Sequence, residues 1–167
     1  NAAETKVITT NDKHHTLLPR RFDRTDDGKR IHFASAMTLL GLNDGDNATT
    51  GNGYLDIVDF IISGCTDVDA NLRELFRRVA FNICVGNSDD HFRNHGFLLT
   101  AKGWILSPAY DMNPTLNDHQ SLLINSKTNE SDLSILLNSC EEYMLTLKIA
   151  KAIINEVVTA VKDWRVL

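Results

Sequence analysis

The chain has 167 residues, of which 43% are hydrophobic and 23% are charged, and its formal net charge is −5. This length and composition are typical of one domain that buries its own core. No apolar run approaches the roughly 20 residues of a membrane span, and an acidic chain is not expected to bind nucleic acid directly. Three widely spaced cysteines predict neither a disulfide framework nor a zinc site, so we expect reduced thiols in a cytoplasmic protein.

The first forty residues predict one or two strands and a helix. Residues 5–10 are either a strand or a disordered lead-in, and residues 15–23 predict an edge strand because Pro19 cannot donate to a central ladder. Residues 31–41 have the apolar spacing of a helix, and Gly41 is a plausible terminator.

A polar loop follows at residues 43–53. It has the acidic and asparagine content of a calcium loop. However, counting from Asp44, the position that requires glycine holds Thr49, and the position that requires glutamate holds Leu55. The sequence therefore does not favour calcium binding there.

Two amphipathic helices are predicted next, because apolar residues recur at a spacing of three to four. The first has its apolar face at Tyr54, Ile57, Val58, Ile61 and Ile62, and ends at Gly64. The second has a stronger stripe at Leu72, Leu75, Phe76, Val79, Ala80 and Ile83, whereas Arg73, Glu74, Arg77 and Arg78 lie off it. We expect the second helix to be central and to lead directly into the loop at residues 86–94.

The remaining segments predict a hairpin, a further strand and two helices. Strands at 97–100 and 104–106 surround a turn, residues 121–124 are a candidate for a further strand, and residues 131–138 and 142–164 have helical periodicity. The fold class is therefore mainly α with a small antiparallel β-hairpin or sheet, in one domain that spans residues 1–167.

The loop after the second long helix holds the residues that carry chemistry. Asp89 is followed five residues later by Asn94 and, beyond the hairpin, by Asp111. Phosphoryl transfer needs this set: one carboxylate to orient the attacking hydroxyl, and an amide and a second carboxylate to hold Mg²⁺ against the phosphates of ATP. His91 is positioned to hydrogen-bond a phosphate or to brace the loop. The alternative without a catalytic role is a polar turn in which Asp and Asn serve as caps.

A zinc site at His91 and His95 is a second alternative, because the two stand at i and i+4. The glutamate that makes such a pair catalytic is missing, and Gly96 argues against a helix.

Taken together, these blocks resemble the C-terminal domain of the HipA-like serine/threonine kinases of bacterial toxin–antitoxin modules. The matching blocks are residues 21–24 (Arg-Phe-Asp-Arg), 30–32 with Ser35, 39–41 (Leu-Leu-Gly), 81–82 (Phe-Asn), 86–94 and 106–111. The resemblance is good over residues 18–115 and looser elsewhere. Each block alone is modest, and it is their joint order that is specific.

The resemblance implies a kinase-like C-lobe that binds ATP and Mg²⁺ and phosphorylates a Ser or Thr of a protein substrate. It implies that Asp89 is the catalytic base, that His91 is the catalytic-loop histidine, and that Asn94 and Asp111 bind the metal. Residues 20–22 (Arg20, Arg21 and Phe22) match the hinge, whose backbone would meet the adenine. An antitoxin-type DNA-binding protein is the implied partner.

Two departures from the family pattern matter. The residue before the Arg-Phe-Asp-Arg block is Arg20, where the family usually has Glu. The family's nucleotide-binding Lys and phosphate-covering loop lie N-terminal to the hinge. We therefore expect this chain to be a fragment that lacks most of the N-lobe and is inactive alone. The alternatives are a lipid or small-molecule kinase with the same Asp-x-His-x-x-Asn loop, and a non-catalytic module that binds an antitoxin-type partner.

Overall fold

The computed structural model describes residues 1–11, 14–115 and 117–164. In these ranges the chain forms β1 (Thr5–Asn11), β2 (His14–Pro19), β3 (Phe33–Ser35), α1 (Ala36–Leu39), α2 (Tyr54–Gly64), α3 (Val68–Val85), β4 (Gly96–Thr100), β5 (Gly103–Leu106), α4 (Leu133–Asn138) and α5 (Leu147–Val161). Short 3-10 helices are formed at Ala48–Thr50, Phe92–Asn94 and Cys140–Tyr143. The predicted mainly helical architecture with small antiparallel sheets is confirmed.

Two small sheets are formed in the described ranges. β1 and β2 pair as an antiparallel hairpin whose residues are all exposed, so this hairpin adds nothing to the core. The second sheet has the order β3-β4-β5 and is antiparallel throughout. Its register pairs Ala34 with Phe97 and Phe97 with Leu106, which places the buried Phe97 ring at the centre of the sheet. The predicted hairpin at 97–106 is therefore confirmed.

α3 is the central helix, as predicted, and it packs mainly against α5. Its apolar stripe is buried together with the inner faces of α2 and α5 and with the ring of Phe97. Asp67 precedes α3 and the left-handed Gly86 (φ 70°) ends it, its N–H donating to the carbonyls of Asn82 and Ile83. A glycine is well suited to that left-handed cap position.

The expected helix over residues 31–41 is wrong. Residues 33–35 are β3, and only Ala36–Leu39 form a helix, which begins after the Ser35 side chain accepts a hydrogen bond from the Thr38 N–H. The competing force is pairing with a distant segment: β3 bonds to β4, whose first residue, Gly96, has no side chain to strike the Phe33 ring.

Two further element predictions need correction. Residues 121–124 form no strand: Leu122 and Ile124 are buried, but the segment has only one parallel bridge, between Leu123 and Gly53. The predicted helix at 142–164 begins only at Leu147, because Met144 has a left-handed backbone (φ 56°) that separates it from the preceding 3-10 helix. The sequence also placed Arg78 off the buried face, yet its side chain is buried.

No helix in the described ranges combines the length and the apolar character that crossing a bilayer requires.

The close approach of Gly53 to Leu123 gives a test of this packing. A Cβ added at Gly53 would lie 2.5 Å from both the Cβ and the carbonyl oxygen of Leu123. The backbone of Gly53 is extended (φ −161°), so the cost of a substitution is steric. We expect Gly53→Ala to lower the free energy of unfolding by about 1–3 kcal/mol in urea denaturation.

The matched control is Gly64→Ala at the other end of α2. Its added Cβ would meet only the Phe60 ring at 3.2 Å. We expect a change within about 1 kcal/mol there, because alanine also raises helix propensity. Equal stabilities for the two variants would contradict the packing of residues 121–124 against the start of α2.

Candidate active site

The loop that follows α3 is anchored to the protein interior by the buried carboxylate of Asp90. Its Oδ2 accepts hydrogen bonds from the Tyr54 hydroxyl at 2.8 Å and from Asn82 Nδ2 at 2.6 Å, and it contacts His95 Nε2 at 2.8 Å. These three partners come from α2, from α3 and from the residue before β4. One oxygen atom therefore connects the loop to three separate parts of the fold.

The pKa of Asp90 lies below its ordinary value. Burial alone would raise this pKa, but the opposing contributions outweigh it: the charge and hydrogen bond of His95, the Tyr54 hydroxyl and the charge of Arg78. Conversely, burial and the neighbouring Asp90 charge raise the pKa of Tyr54 well above its usual value. The phenol therefore stays protonated and donates to a carboxylate that stays ionised.

Asp89, unlike the neighbouring Asp90, is exposed. The side chain of Asn94 is buried and its Nδ2 donates to the backbone oxygen of Asp89 at 3.2 Å, across the 3-10 turn at Phe92–Asn94. This bond closes the loop and occupies the nitrogen end of the amide, so that the Asn94 oxygen is the end left for a ligand.

His91 is half-buried at the start of the 3-10 turn, and its Nδ1 is buried without a hydrogen-bond partner among the described residues. A cavity of about 170 Å³ is lined by His91 and Asp89 together with residues of the polar loop, including Asp44 and Asp46. The exposed Arg93 side chain forms an ion pair with Asp44, which ties the polar loop to the candidate catalytic loop.

Two hydrogen-bonded tethers bring the segment that contains Asp111 beside this loop. The Tyr110 hydroxyl donates to the backbone oxygen of Arg93 at 2.5 Å. At the other end, Thr115 Oγ1 accepts from the Ser88 N–H at 2.9 Å and lies 2.5 Å from the Ser88 hydroxyl. Residues 89–92 and 111–114 thus lie between two hydrogen-bonded tethers, and Asn94 follows the Arg93 tether by one residue. That Asp89, Asn94 and Asp111 act together on one ion stays a prediction.

Asp111 itself has an unusual backbone. Its φ is 55°, in the left-handed region, which non-glycine residues rarely adopt. Its side chain is exposed, and Oδ1 accepts from Asn113 Nδ2 at 2.8 Å. A strained conformation held by surrounding bonds is a recognised feature of functional positions. Here it is an observation that points to Asp111 as a functional residue.

The predicted hinge residues line a separate cavity of about 260 Å³. Arg20, Arg21, Phe22 and Tyr110 are among its lining residues, and the rings of Phe22 and Tyr110 pack together with centroids 5.6 Å apart. The Arg20 side chain pairs with Glu4 and Asp26, and Arg21 forms a two-bond pair with Asp23.

Both arginine side chains pair with local carboxylates while remaining largely exposed. The cavity also offers backbone groups and the Phe22 ring. The Arg20 N–H already donates to the Glu4 carbonyl at 2.7 Å, so it is not among them.

The donor set fits Mg²⁺ in its chemistry. One carboxylate (Asp111) and one amide oxygen (Asn94) leave the remaining positions to water and phosphate oxygens, which is how this ion is usually bound. In the part of the chain that the structure describes, no group of three or more His, Cys, Asp or Glu side chains is placed to hold a metal.

The zinc alternative at His91 and His95 loses its geometric basis. The intervening residues form a 3-10 turn, and His95 is buried with its Nε2 already on Asp90. In the polar loop, Asp44 pairs with Arg93, and Asp46 accepts from the Asn43 N–H at 2.7 Å. Both aspartates thus have protein partners, and the loop remains without the ligands that calcium requires.

The sequence analysis assigned no individual role to four residues of the site: Tyr54, Asn82, Asp90 and Arg78. Tyr54 was recognised only as an apolar position and Asp90 only as part of a polar turn. The available signal was spacing, because Arg78 and Asn82 stand four residues apart and next to the apolar stripe of α3.

Comparison with known proteins was decisive for the family. The model of the HipA-like C-terminal domain matches residues 1–165. The chain belongs to this family. The solved structure of the Shewanella oneidensis MR-1 toxin–antitoxin complex of HipA, HipB and operator DNA aligns with 96% of this HipA-like chain and 43% of the matched chain. The TM-score is 0.81 at 16% sequence identity, so that likeness concerns the fold alone.

Two curated relatives of this HipA-like domain are longer proteins. A "Putative kinase" of Haemophilus influenzae is 29% identical over 107 residues, which is 60% of this chain and 31% of the relative. The "Putative kinase Y4dM" of Sinorhizobium fredii is 31% identical over 101 residues, which is 60% of this chain and 24% of the relative. The matched region thus spans about a quarter to a third of these relatives.

The Asp90 contacts give a stability prediction. Asp90→Asn keeps the shape but removes the charge and the full acceptor capacity that Tyr54, Asn82 and His95 use. We expect a loss of about 3–5 kcal/mol in the free energy of unfolding, the range for breaking a buried charged pair. Urea denaturation at neutral pH measures this. The control is Asp59→Asn, an exposed position on α2, with a change within about 0.5 kcal/mol.

The difference between wild type and Asp90→Asn should also depend on pH. Because the folded-state pKa of Asp90 is depressed, its contribution is complete above the unfolded-state pKa of about 4 and is lost as the pH falls through the folded-state value. A difference that grows in acid would contradict an ionised Asp90.

Proposed function

We propose that the whole protein is an ATP- and Mg²⁺-dependent kinase that transfers a phosphoryl group to a Ser or Thr hydroxyl of a protein substrate. This chain, as its kinase-like C-lobe, would supply the catalytic loop and the metal ligands. The observation that supports the proposal is the pair of tethers, Tyr110 to Arg93 and Ser88 to Thr115, which attach the loop of Asp89 and Asn94 to the segment of Asp111.

Each of the three side chains has one role in this proposal. Asp89, exposed at the loop surface, accepts or orients the proton of the attacking hydroxyl. The Asn94 oxygen and the Asp111 carboxylate hold Mg²⁺. When bound, the ion offsets the charge that develops on the transferring phosphoryl group. His91, which lines the same cavity as Asp89, would donate to a phosphate oxygen or brace the loop.

The nucleotide base would occupy the cavity beside residues 20–22. Its lining includes the rings of Phe22 and Tyr110, which pack together, and Tyr110 directly precedes Asp111. A base held there would lie next to the proposed metal-binding segment. The triphosphate of the same nucleotide could then reach the metal. Because the side chains of Arg20 and Arg21 pair with carboxylates, backbone groups would recognise the adenine.

The proposed substrate and partner extend what is known of similar proteins. The curated relatives carry kinase names, and the solved HipA chain is in complex with HipB and operator DNA. By analogy, we propose an antitoxin-type partner that contacts DNA, while this chain, with its net charge of −5, does not bind nucleic acid directly.

Asp89→Asn tests the proposed base in the whole protein. We expect kcat for phosphoryl transfer to fall by about 10²–10⁴-fold, the usual contribution of general acid–base catalysis. Binding of Mg²⁺·ATP should remain close to wild type, because the metal ligands are untouched. Transfer from γ-labelled ATP to protein substrates and to liposomes measures the first, and calorimetry measures the second.

Asp118→Asn is the control, an exposed aspartate outside the tethered segments, and its kcat should match wild type. Wild-type turnover in Asp89→Asn would refute the role of Asp89. Labelling of lipid instead of protein would favour a lipid kinase, and tight partner binding without any transfer would favour a non-catalytic module.

A further inference from the structure

α3 carries a line of buried polar residues beside its apolar stripe, which we call the polar stripe: Asn71, Arg78 and Asn82. All three are buried. Their spacing of seven and four residues places them on one side of the helix. Polar groups in such positions are costly unless each is hydrogen-bonded, so the partners of the stripe indicate its role.

The partners of the polar stripe lie on the two halves of the candidate site. Arg78 Nη2 donates to the backbone oxygen of Ser107, four residues before Asp111. One turn further along α3, Asn82 Nδ2 donates to Asp90, the residue after Asp89. The metal-binding segment and the catalytic loop are thus attached to adjacent turns of the same rigid helix.

Asn71 extends this pattern to the strand that leads into the metal-binding segment. Its Oδ1 accepts from the Leu106 N–H at 2.7 Å, and its Nδ2 donates to the Thr66 carbonyl at 2.7 Å. α3 therefore holds Leu106 through the acceptor Asn71 and holds Ser107 through the donor Arg78. The separation between Asp89 and Asp111 is set in part by the spacing of side chains along one helix.

Arg78 is the unusual member, because it is a charged residue that is only 3% exposed. Its Nε contacts Glu74 at 3.3 Å, and its Nη1 is buried without a hydrogen-bond partner among the described residues. A buried ion pair often contributes no more stability than apolar residues of similar size. The hydrogen bond of Arg78 to Ser107, together with the effect of its charge on Asp90 and Tyr110, therefore points to a role in the site.

We propose that Arg78 and Asn82 are positioning residues that fix the catalytic loop and the metal-binding segment at the separation that Mg²⁺·nucleotide requires. The inference rests on the proposed function. Neither side chain is expected to touch the metal or the nucleotide. Their effect is transmitted through Ser107 to Asp111, and through Asp90 to Asp89 and Asn94.

Arg78→Met is the principal test, since methionine keeps the length and apolar packing of the side chain but removes the donor and the charge. In the whole protein, Mn²⁺ binding with a non-hydrolysable ATP analogue is followed by electron paramagnetic resonance. We expect the dissociation constant to rise about 10- to 100-fold, as for other residues that orient metal ligands. The number of sites per chain should stay at the wild-type value.

The matched control is Arg77→Met. Arg77 is the neighbouring arginine, pairs with Glu74 and Glu156, and contacts neither Ser107 nor Asp90. Its dissociation constant should equal that of wild type. A merely structural role of Arg78 would lower the number of sites and leave the dissociation constant unchanged, and that result would overturn the proposal.

Folding is checked by thermal melting in the absence of metal. If Arg78→Met does not fold, Arg78→Lys decides, because a lysine keeps the charge but cannot reproduce the fork of an arginine. It should still weaken Mn²⁺·nucleotide binding, and wild-type affinity would refute the positioning role. Absence of Mn²⁺·nucleotide binding in the wild type would overturn the proposed function itself, whereas equal binding by wild type and Arg78→Met overturns only this inference.

Discussion

A negative charge buried at Asp90, 4% exposed, is the constraint on which the site depends. Its Oδ2 must be satisfied from within the protein, because isolating such a charge from water without partners is prohibitive. Three groups from different parts of the chain converge on it. Moving the loop outward would therefore break three bonds at once, so the backbone that carries Asp89 is held in one position while the Asp89 side chain remains at the surface.

The parts of the fold that local pattern determines were predictable. α2 and α3 follow from apolar residues at helical spacing, and the β4–β5 hairpin follows from two short apolar runs around a turn. β3 was missed because three residues carry no period of their own, and only pairing with β4 makes them a strand. Residues 121–124 show the reverse case. Their short apolar run suggested a strand, but burial of Leu122 and Ile124 required no ladder.

The residues of the candidate site likewise include some that the sequence could predict and some that it could not. Asp89, Asn94 and Asp111 could be selected from sequence because phosphoryl transfer needs those residue types, and the family pattern gave their spacing. Asp90 and Arg78 could not, since their importance comes from contacts with residues distant in the chain. A buried arginine on a helix looks, in one sequence, like an arginine on a solvated face. Its environment is decided by what packs over it, here the segment that begins at Ser107.

Tyr110 contacts both the predicted hinge and the candidate catalytic loop. Its ring contacts Phe22 and Phe33 beside the predicted hinge, and its hydroxyl holds the loop at Arg93. Burial, followed by the charges of Asp90 and Asp111, raises its pKa to about 12 despite the opposing charge of Arg78. The phenol is therefore a permanent donor near neutral pH. Because Tyr110 directly precedes the left-handed Asp111, its ring contacts and its hydroxyl bond restrain the backbone that carries the proposed metal ligand.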